Sequence, residues 1–211
     1  MSKIQEIATA VEKGKSKEIE ALVQAALDAG ETSDAILNDG LMAAMAVIGQ
    51  KFQANEVYVP EMLVAAKAMK KGVEVLKPHF AGQSMSKYGK FIIGTVEGDL
   101  HDIGKNLVAL MVESAGFEVI DLGVDVPPEK FVEAVKEHPD CKLVGASALL
   151  TTTMGALKTT VEALTNAGCR SQIKIIVGGA PVTQGFADEI GADGYTADAG
   201  SAALKAVELV A

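Results

Sequence analysis

Apolar positions recur along this chain with two different periods, and the change falls in residues 81–90. Before it, no segment reads as a strand. In KSKEIEALVQAALDAG, Ile19, Leu22, Val23, Ala26 and Leu27 recur at helical spacing, and the pattern stops at Gly30. TSDAILNDGLMAAMAVIGQKF restarts it after Thr32 and Ser33, with Ile36, Leu37, Leu41, Met45, Ile48 and Phe52 on one side. VPEMLVAAKAMKKGVEVLKPHF carries Pro60 in a first-turn position and Pro78 at its end. With MSKIQEIATAVEKG, four amphipathic helices are expected over residues 1–80, enough for a small bundle.

AGQSMSKYGK, residues 81–90, reads as a polar linker with a hinge composition (Gly82, Ser84, Ser86, Gly89). Beyond it, over residues 91–211, the apolar runs FIIGTV, FEVIDLG, KLVGASALL, IKIIVGG and DGYTAD alternate with helical segments. Those segments fall near 103–115, 128–138, 153–167, 182–190 and 199–210. Five short strands alternating with helices predict a parallel, doubly wound α/β sheet. The flavodoxin-like (Rossmann-like) order 2-1-3-4-5 is expected, with a ligand crevice at the carboxyl ends of strands 1, 3 and 4.

Composition narrows the function. A net charge of −9 and a single arginine, Arg170, exclude a basic nucleic-acid surface. No run approaches the length of a membrane span and the N-terminus is charged, so a cytoplasmic protein with neither span nor signal peptide is expected. Cys141 and Cys169 are far apart and read as reduced thiols.

Three loops would meet at the crevice: EGDLHDIG, ASALLTTTM and VGGAPVT. The first carries Glu97, Asp99 and Asp102 where a dinucleotide or flavin would need amides to receive phosphate, and these carboxylates would repel it. A receiver domain needs an aspartate at the end of strand 3, which instead reads GASAL. Zinc needs three or four ligands, and His101 has no cysteine or second histidine near it. Two readings of His101 stay open. It is a loop histidine capping the next helix, or the single protein ligand of a metal whose other ligands come from a macrocycle. In the second case Asp99 is placed to orient the imidazole.

DLHDIG fits Asp-x-His-x-x-Gly, with Gly104 third; residues 105–146 separate it from SAL (Ser147, Leu149), and residues 150–177 separate that from Gly178-Gly179. This combination resembles the cobalamin-binding signature of cobalamin-dependent methyltransferases at the family's own spacings. The stretch MAVIGQKFQANEVYVPEML is similar to the helical cap that precedes that domain. The resemblance spans nearly the whole chain and is closest to the small corrinoid proteins of methanol, methylamine, betaine and O-demethylase systems.

The resemblance implies a cofactor, cobalamin or a related corrinoid that carries methyl on cobalt as methylcobalamin does. It implies base-off, His-on binding, with His101 as the metal ligand, Asp99 hydrogen-bonded to it, and Thr153 as the hydroxyl behind the carboxylate. Gly98, Asp102 and Ile103 lie in the same motif loop. Gly104, Ser147, Gly178 and Gly179 correspond to small residues lining a slot for the nucleotide tail. Leu149 belongs to the second motif, and Ser147 and Thr151 offer hydrogen bonds to the base or the corrin amides. Ala199 matches a peripheral contact. Phe52 and Val59 match cap residues over the methyl-bearing face, where methionine synthase has a larger leucine at the Val59 position.

The family reading is of a methyl carrier in anaerobic one-carbon metabolism, without a second active site. Its implied partners are a substrate-specific methyltransferase, an acceptor methyltransferase (tetrahydrofolate, pterin or thiol) and a reductive activase. A mutase small subunit would use the same cobalamin domain but lacks the four-helix cap. A cobalamin sensor would carry an output domain such as a DNA-binding head.

Overall fold

The computed structural model of the chain describes residues 2–80 and 86–211. They form two compact units. One holds the helical residues through Lys87 together with Ser114–Gly116, the other Tyr88–Glu113 with Phe117–Ala211. Residues 81–85 of the expected linker, with Gly82 and Ser84 of its hinge, lie outside the described residues. Its last residue, Lys90, is not linker: it opens the first strand, and its ammonium is tied to Asp140 at 3.0 Å.

In the helical unit, α1 (Lys3–Glu12) begins with a reciprocal cap: Gln5 N–H donates to the Ser2 hydroxyl, and Ser2 N–H donates to the Gln5 side chain. α2 spans Ile19–Asp28. The third expected helix runs through α3 (Ser33–Ala35), a π-helical stretch (Ile36–Met42) and α4 (Ala43–Gln53). Within the wider stretch, a Cβ on Gly40 would lie 3.2 Å from Ile7 Cγ2, so its absence lets α1 come close. α5 (Val59–Leu76) has Pro60 in its first turn, where a missing N–H costs no helical bond. The helix ends at Leu76, just ahead of Pro78 as expected, and the chain continues as a short 3₁₀ turn, Lys77–Phe80. Ile7, Ile19, Val23, Ile36, Leu41, Ile48, Met62 and Leu76 are buried.

The second unit is a five-stranded parallel sheet in the order β2-β1-β3-β4-β5. Its elements are β1 (Lys90–Thr95), α6 (Ile103–Ser114), β2 (Glu118–Asp121), α7 (Pro128–Glu137), β3 (Cys141–Ser147), α8 (Met154–Asn166), β4 (Lys174–Gly178), α9 (Gln184–Ile190), β5 (Gly194–Tyr195) and α10 (Ala199–Val210). This is the order expected from the sequence. Ile92, Val144, Ala146, Ile175 and Val177 form a core with Phe131, Leu157, Leu164 and Ile190 from the helices. Burying such aliphatic side chains stabilises the fold by about 1.5–3 kcal/mol each.

Several boundaries differ from expectation by a few residues, and three have a visible local setting. β3 stops at Ser147, because the amides of Leu149 and Leu150 turn toward Asp99 instead of continuing the ladder. The fifth strand keeps only Gly194–Tyr195. Asp193 before it accepts from Ile175 N–H at 2.7 Å and pairs with Arg170. Burial pushes its pKa up, but Arg170 and the Ile175 amide outweigh that and leave it lowered. α9 starts at Gln184, capped by the Thr183 hydroxyl, which accepts from Phe186 N–H.

Candidate functional site

β1, β3 and β4 end side by side, and the loops that follow them carry most of the expected residues. After Thr95 the chain turns sharply: Asp99 N–H donates to Val96 C=O at 3.1 Å, and Gly98 adopts φ +79°, which favours glycine. The turn drives the Asp99 side chain inward until it is fully buried.

A buried carboxylate must be satisfied, and this one is. Oδ1 accepts from His101 N–H at 3.1 Å and from the His101 ring at Nδ1, 2.7 Å away. Oδ2 accepts from Leu149 N–H at 2.7 Å, from Leu150 N–H at 3.4 Å and from the Thr153 hydroxyl at 2.8 Å. Burial alone would raise the pKa of Asp99. The Leu149 amide, the His101 ring and amide, and the Thr153 hydroxyl together hold it well below the usual carboxylate range.

An ionised carboxylate can only accept, so Nδ1 of His101 carries the shared proton. The lone pair of the neutral ring then sits on Nε2, while half of the His101 side-chain surface is exposed. Thr153 has one hydroxyl proton and two acceptors in reach, Asp99 Oδ2 and Leu150 C=O at 2.9 Å. The charged oxygen is the stronger acceptor.

The remaining expected residues fall as follows. Asp102 accepts from Asn106 at the start of α6, through both its main-chain and side-chain oxygens. Ile103 and Gly104 open α6 and are exposed. Ser147 ends β3 with its hydroxyl 3.1 Å from that of Thr95. Thr151 is exposed in a 3₁₀ turn that ends at the buried Thr153. Gly178 ends β4, and Gly179 has φ +129°; a Cβ on Gly179 would stand 1.8 Å from Ala148 C=O, so backbone passes there at a distance only glycine permits. Ala199 is buried as the first residue of α10, behind the Asp198 cap. Phe52 and Val59 are half-buried in the other compact unit, at the end of α4 and the start of α5.

Three further features were not named from sequence. Leu100 and Leu150 are exposed beside Ile103 and Leu149, so the large exposed apolar residues of this unit all lie in or next to the Asp99–His101 and Leu149–Thr153 loops. Their signal was available, since leucine is an unusual choice in loops otherwise built of Gly, Asp and Thr. The third is Asp125, whose carboxylate accepts from Gly98 N–H at 2.7 Å.

These residues fit a corrinoid. Among the described residues, no group of three or more His, Cys, Asp or Glu is arranged to hold a metal ion. A metal at His101 would therefore bring its other ligands with it, as the cobalt of a corrin does. The tautomer is the one a metal-bound imidazole requires, and the exposed leucines and isoleucine suit the apolar parts of a macrocycle.

Comparison with known proteins agrees with this fit. A family model described as a B12 binding domain matches residues 89–208, and a second with the same description matches residues 3–77. The dimethylamine corrinoid protein of Methanosarcina barkeri is 44% identical over 209 residues, covering 99% of this chain and 97% of that one. The trimethylamine corrinoid protein 2 of Methanosarcina acetivorans is 48% identical over 183 residues, 85% of this chain and 83% of its own. Among solved structures, a cobalamin-binding protein from Desulfitobacterium hafniense matches with TM-score 0.82 at 30% identity, covering 99% of this chain and 98% of that one. The methanol:cobalamin methyltransferase complex MtaBC of Methanosarcina barkeri matches with TM-score 0.86 at 31% identity, covering 99% of this chain and 79% of the matched one. The chain therefore belongs to the methyltransferase corrinoid proteins, and its cofactor is cobalamin or a related corrinoid.

Proposed function

We propose that this protein binds its corrinoid base-off and His-on, with Nε2 of His101 toward cobalt, and serves as a methyl carrier between two methyltransferases. The observation that carries the reading is the 2.7 Å contact between His101 Nδ1 and a buried, ionised Asp99. When bound, the corrinoid supplies a metal that accepts and releases a methyl group. The protein's residues do the rest. Asp99 fixes the ring and its tautomer, and raises the basicity of Nε2. Thr153 and the Leu149 amide hold Asp99 in turn, so the imidazole stands on a fixed base. Gly104, Ser147, Gly178 and Gly179 line the slot for the nucleotide tail, with Gly98, Asp102, Leu149, Thr151 and Ala199 around it. Leu100, Ile103, Leu149 and Leu150 offer apolar surface to the macrocycle.

The names of the relatives support a methylamine as the source of the methyl group, delivered by a substrate-specific methyltransferase. An acceptor methyltransferase removes it to tetrahydrofolate, a pterin or a thiol, and a reductive activase restores the reduced cofactor. The reading is tested by loading wild type and His101→Ala with hydroxocobalamin. Wild type should bind one equivalent with the absorption spectrum of imidazole coordination, and the variant should bind more weakly without that spectrum. Imidazole-type coordination persisting in His101→Ala would remove His101 as the ligand.

A further inference from the structure

The loop after β2 reaches the His101 turn from the side opposite β3. It extends the parallel pairing past the end of β2: Thr95 N–H donates to Gly123 C=O, and Val126 N–H returns to Thr95 C=O, both at 3.0 Å. Between these two bonds, Asp125 makes a two-way bridge. Its amide donates to Asp99 C=O at 2.9 Å, and its carboxylate accepts from Gly98 N–H at 2.7 Å. Both contacts fall on the turn that leads to His101, two and three residues before it.

The backbone at Asp125 is unusual as well. It has φ +52°, and only Asn55 shares a positive φ among the described non-glycine residues. Asn55 follows the end of α4, where a left-handed residue is a common way to stop a helix. Asp125 ends no helix. A left-handed aspartate disfavours itself locally and is kept only where its surroundings hold it. Here the conformation lets one residue present its amide and its carboxylate to two successive residues of the same turn.

From this geometry we infer that Asp125 is a positioning residue for His101. It acts through the backbone of Gly98 and Asp99 to fix where the imidazole stands. The inference rests on the His-on reading, yet the turn it describes exists without cofactor. Three substitutions separate its parts. Asp125→Asn keeps an acceptor oxygen and tolerates the left-handed backbone. Asp125→Gly keeps only the backbone freedom. Asp125→Ala loses both.

The experiment has two readouts. In cofactor-free protein, nitrogen NMR follows amide exchange at Gly98 and the His101 Nδ1–H resonance. In protein loaded with cobalt(II) cobalamin, electron paramagnetic resonance gives the fraction with histidine nitrogen on cobalt. Asp125→Gly and Asp125→Ala should speed Gly98 exchange by about tenfold, the loss expected for one hydrogen bond to a charged acceptor. Both should broaden the Nδ1–H resonance and lower the His-on fraction, and Asp125→Asn should restore all three. If Asp125→Gly keeps the wild-type Nδ1–H resonance and His-on fraction, Asp125 does not position His101. Wild type itself lacking histidine nitrogen on cobalt would instead overturn the His-on reading, while the cofactor-free readout would still decide the role of Asp125 in the turn.

Discussion

Asp99 and His101 are two residues apart and touch at 2.7 Å, yet the carboxylate is wholly out of solvent while half of the imidazole is exposed. The buried partner sets the proton of the exposed one. Asp99→Asn keeps the shape but replaces one acceptor oxygen by a donor NH₂. That donor must face either the His101 ring or the Leu149 and Thr153 donors. Facing the ring, it selects the tautomer that places the proton on Nε2, where a metal would bind. Loss of such a partner typically lowers metal affinity by about 10–100-fold. The expected outcome is hydroxocobalamin affinity reduced within that range, measured by equilibrium dialysis, with the tail still bound. Unchanged affinity would mean that Asp99 does not tune the ligand.

Acid titration gives the same relationship a thermodynamic form. The pKa of Asp99 is depressed on folding, so its contribution to stability is present above the unfolded value of about 3.9. That contribution is lost as pH falls from there through the depressed folded pKa. The stability advantage of wild type over Asp99→Asn should therefore be full at pH 6 and shrink toward pH 3. Urea unfolding of both cofactor-free proteins across that range checks it. A constant difference would show that the pKa of Asp99 is the same folded and unfolded, and a difference that grows toward pH 3 would show that folding keeps Asp99 protonated.

The glycines separate fold from ligand. At Gly179 a Cβ would meet Ala148 C=O at 1.8 Å, so Gly179→Ala should destabilise the α/β unit by about 1–3 kcal/mol or more without any ligand. Gly104 is the opposite case: nothing lies within 4 Å of a Cβ there. Gly104→Ala in the first turn of α6 should leave the melting temperature unchanged or raise it slightly, and Gly104→Leu should block the cofactor by volume. Thermal unfolding with and without hydroxocobalamin distinguishes them. Full binding by Gly104→Leu would take Gly104 out of the slot.

The exposed apolar residues make a further test. Leu100 and Ile103 are 71% and 77% exposed, so replacing them with serine should change cofactor-free stability by no more than about 0.5 kcal/mol. If they face the macrocycle, the double variant should bind hydroxocobalamin measurably more weakly. Unchanged binding would leave them as surface residues awaiting another partner.

Much of this was legible in the sequence, for identifiable reasons. The alternation of apolar runs and helical segments made the parallel sheet legible, since parallel strands need long crossovers that the pattern displays, whereas the strand order was expected only by likeness to flavodoxin-like folds. Asp99 and His101 were legible together because a two-residue spacing in a glycine-flanked turn is local. Thr153 came from family resemblance alone, as its contact with Asp99 joins residues 54 apart in sequence. The amides of Leu149 and Leu150 left no trace, because main-chain donors carry no residue signature. Asp125 was hidden for a similar reason, its role depending on a backbone angle and a bridge across 27 residues. The π-helical stretch Ile36–Met42 kept a helical apolar pattern and so read as ordinary helix.

The central claim, that His101 replaces the cofactor's own base on cobalt, is tested most directly with isotopes. Protein grown with ¹⁵N-histidine is loaded with unlabelled cobalamin, reduced to cobalt(II), and its electron paramagnetic resonance spectrum recorded. Coordination by His101 should split the cobalt lines into the doublets of one ¹⁵N nucleus, and His101→Ala should lose them. Triplets from ¹⁴N in the labelled protein would place the benzimidazole on cobalt and contradict the account.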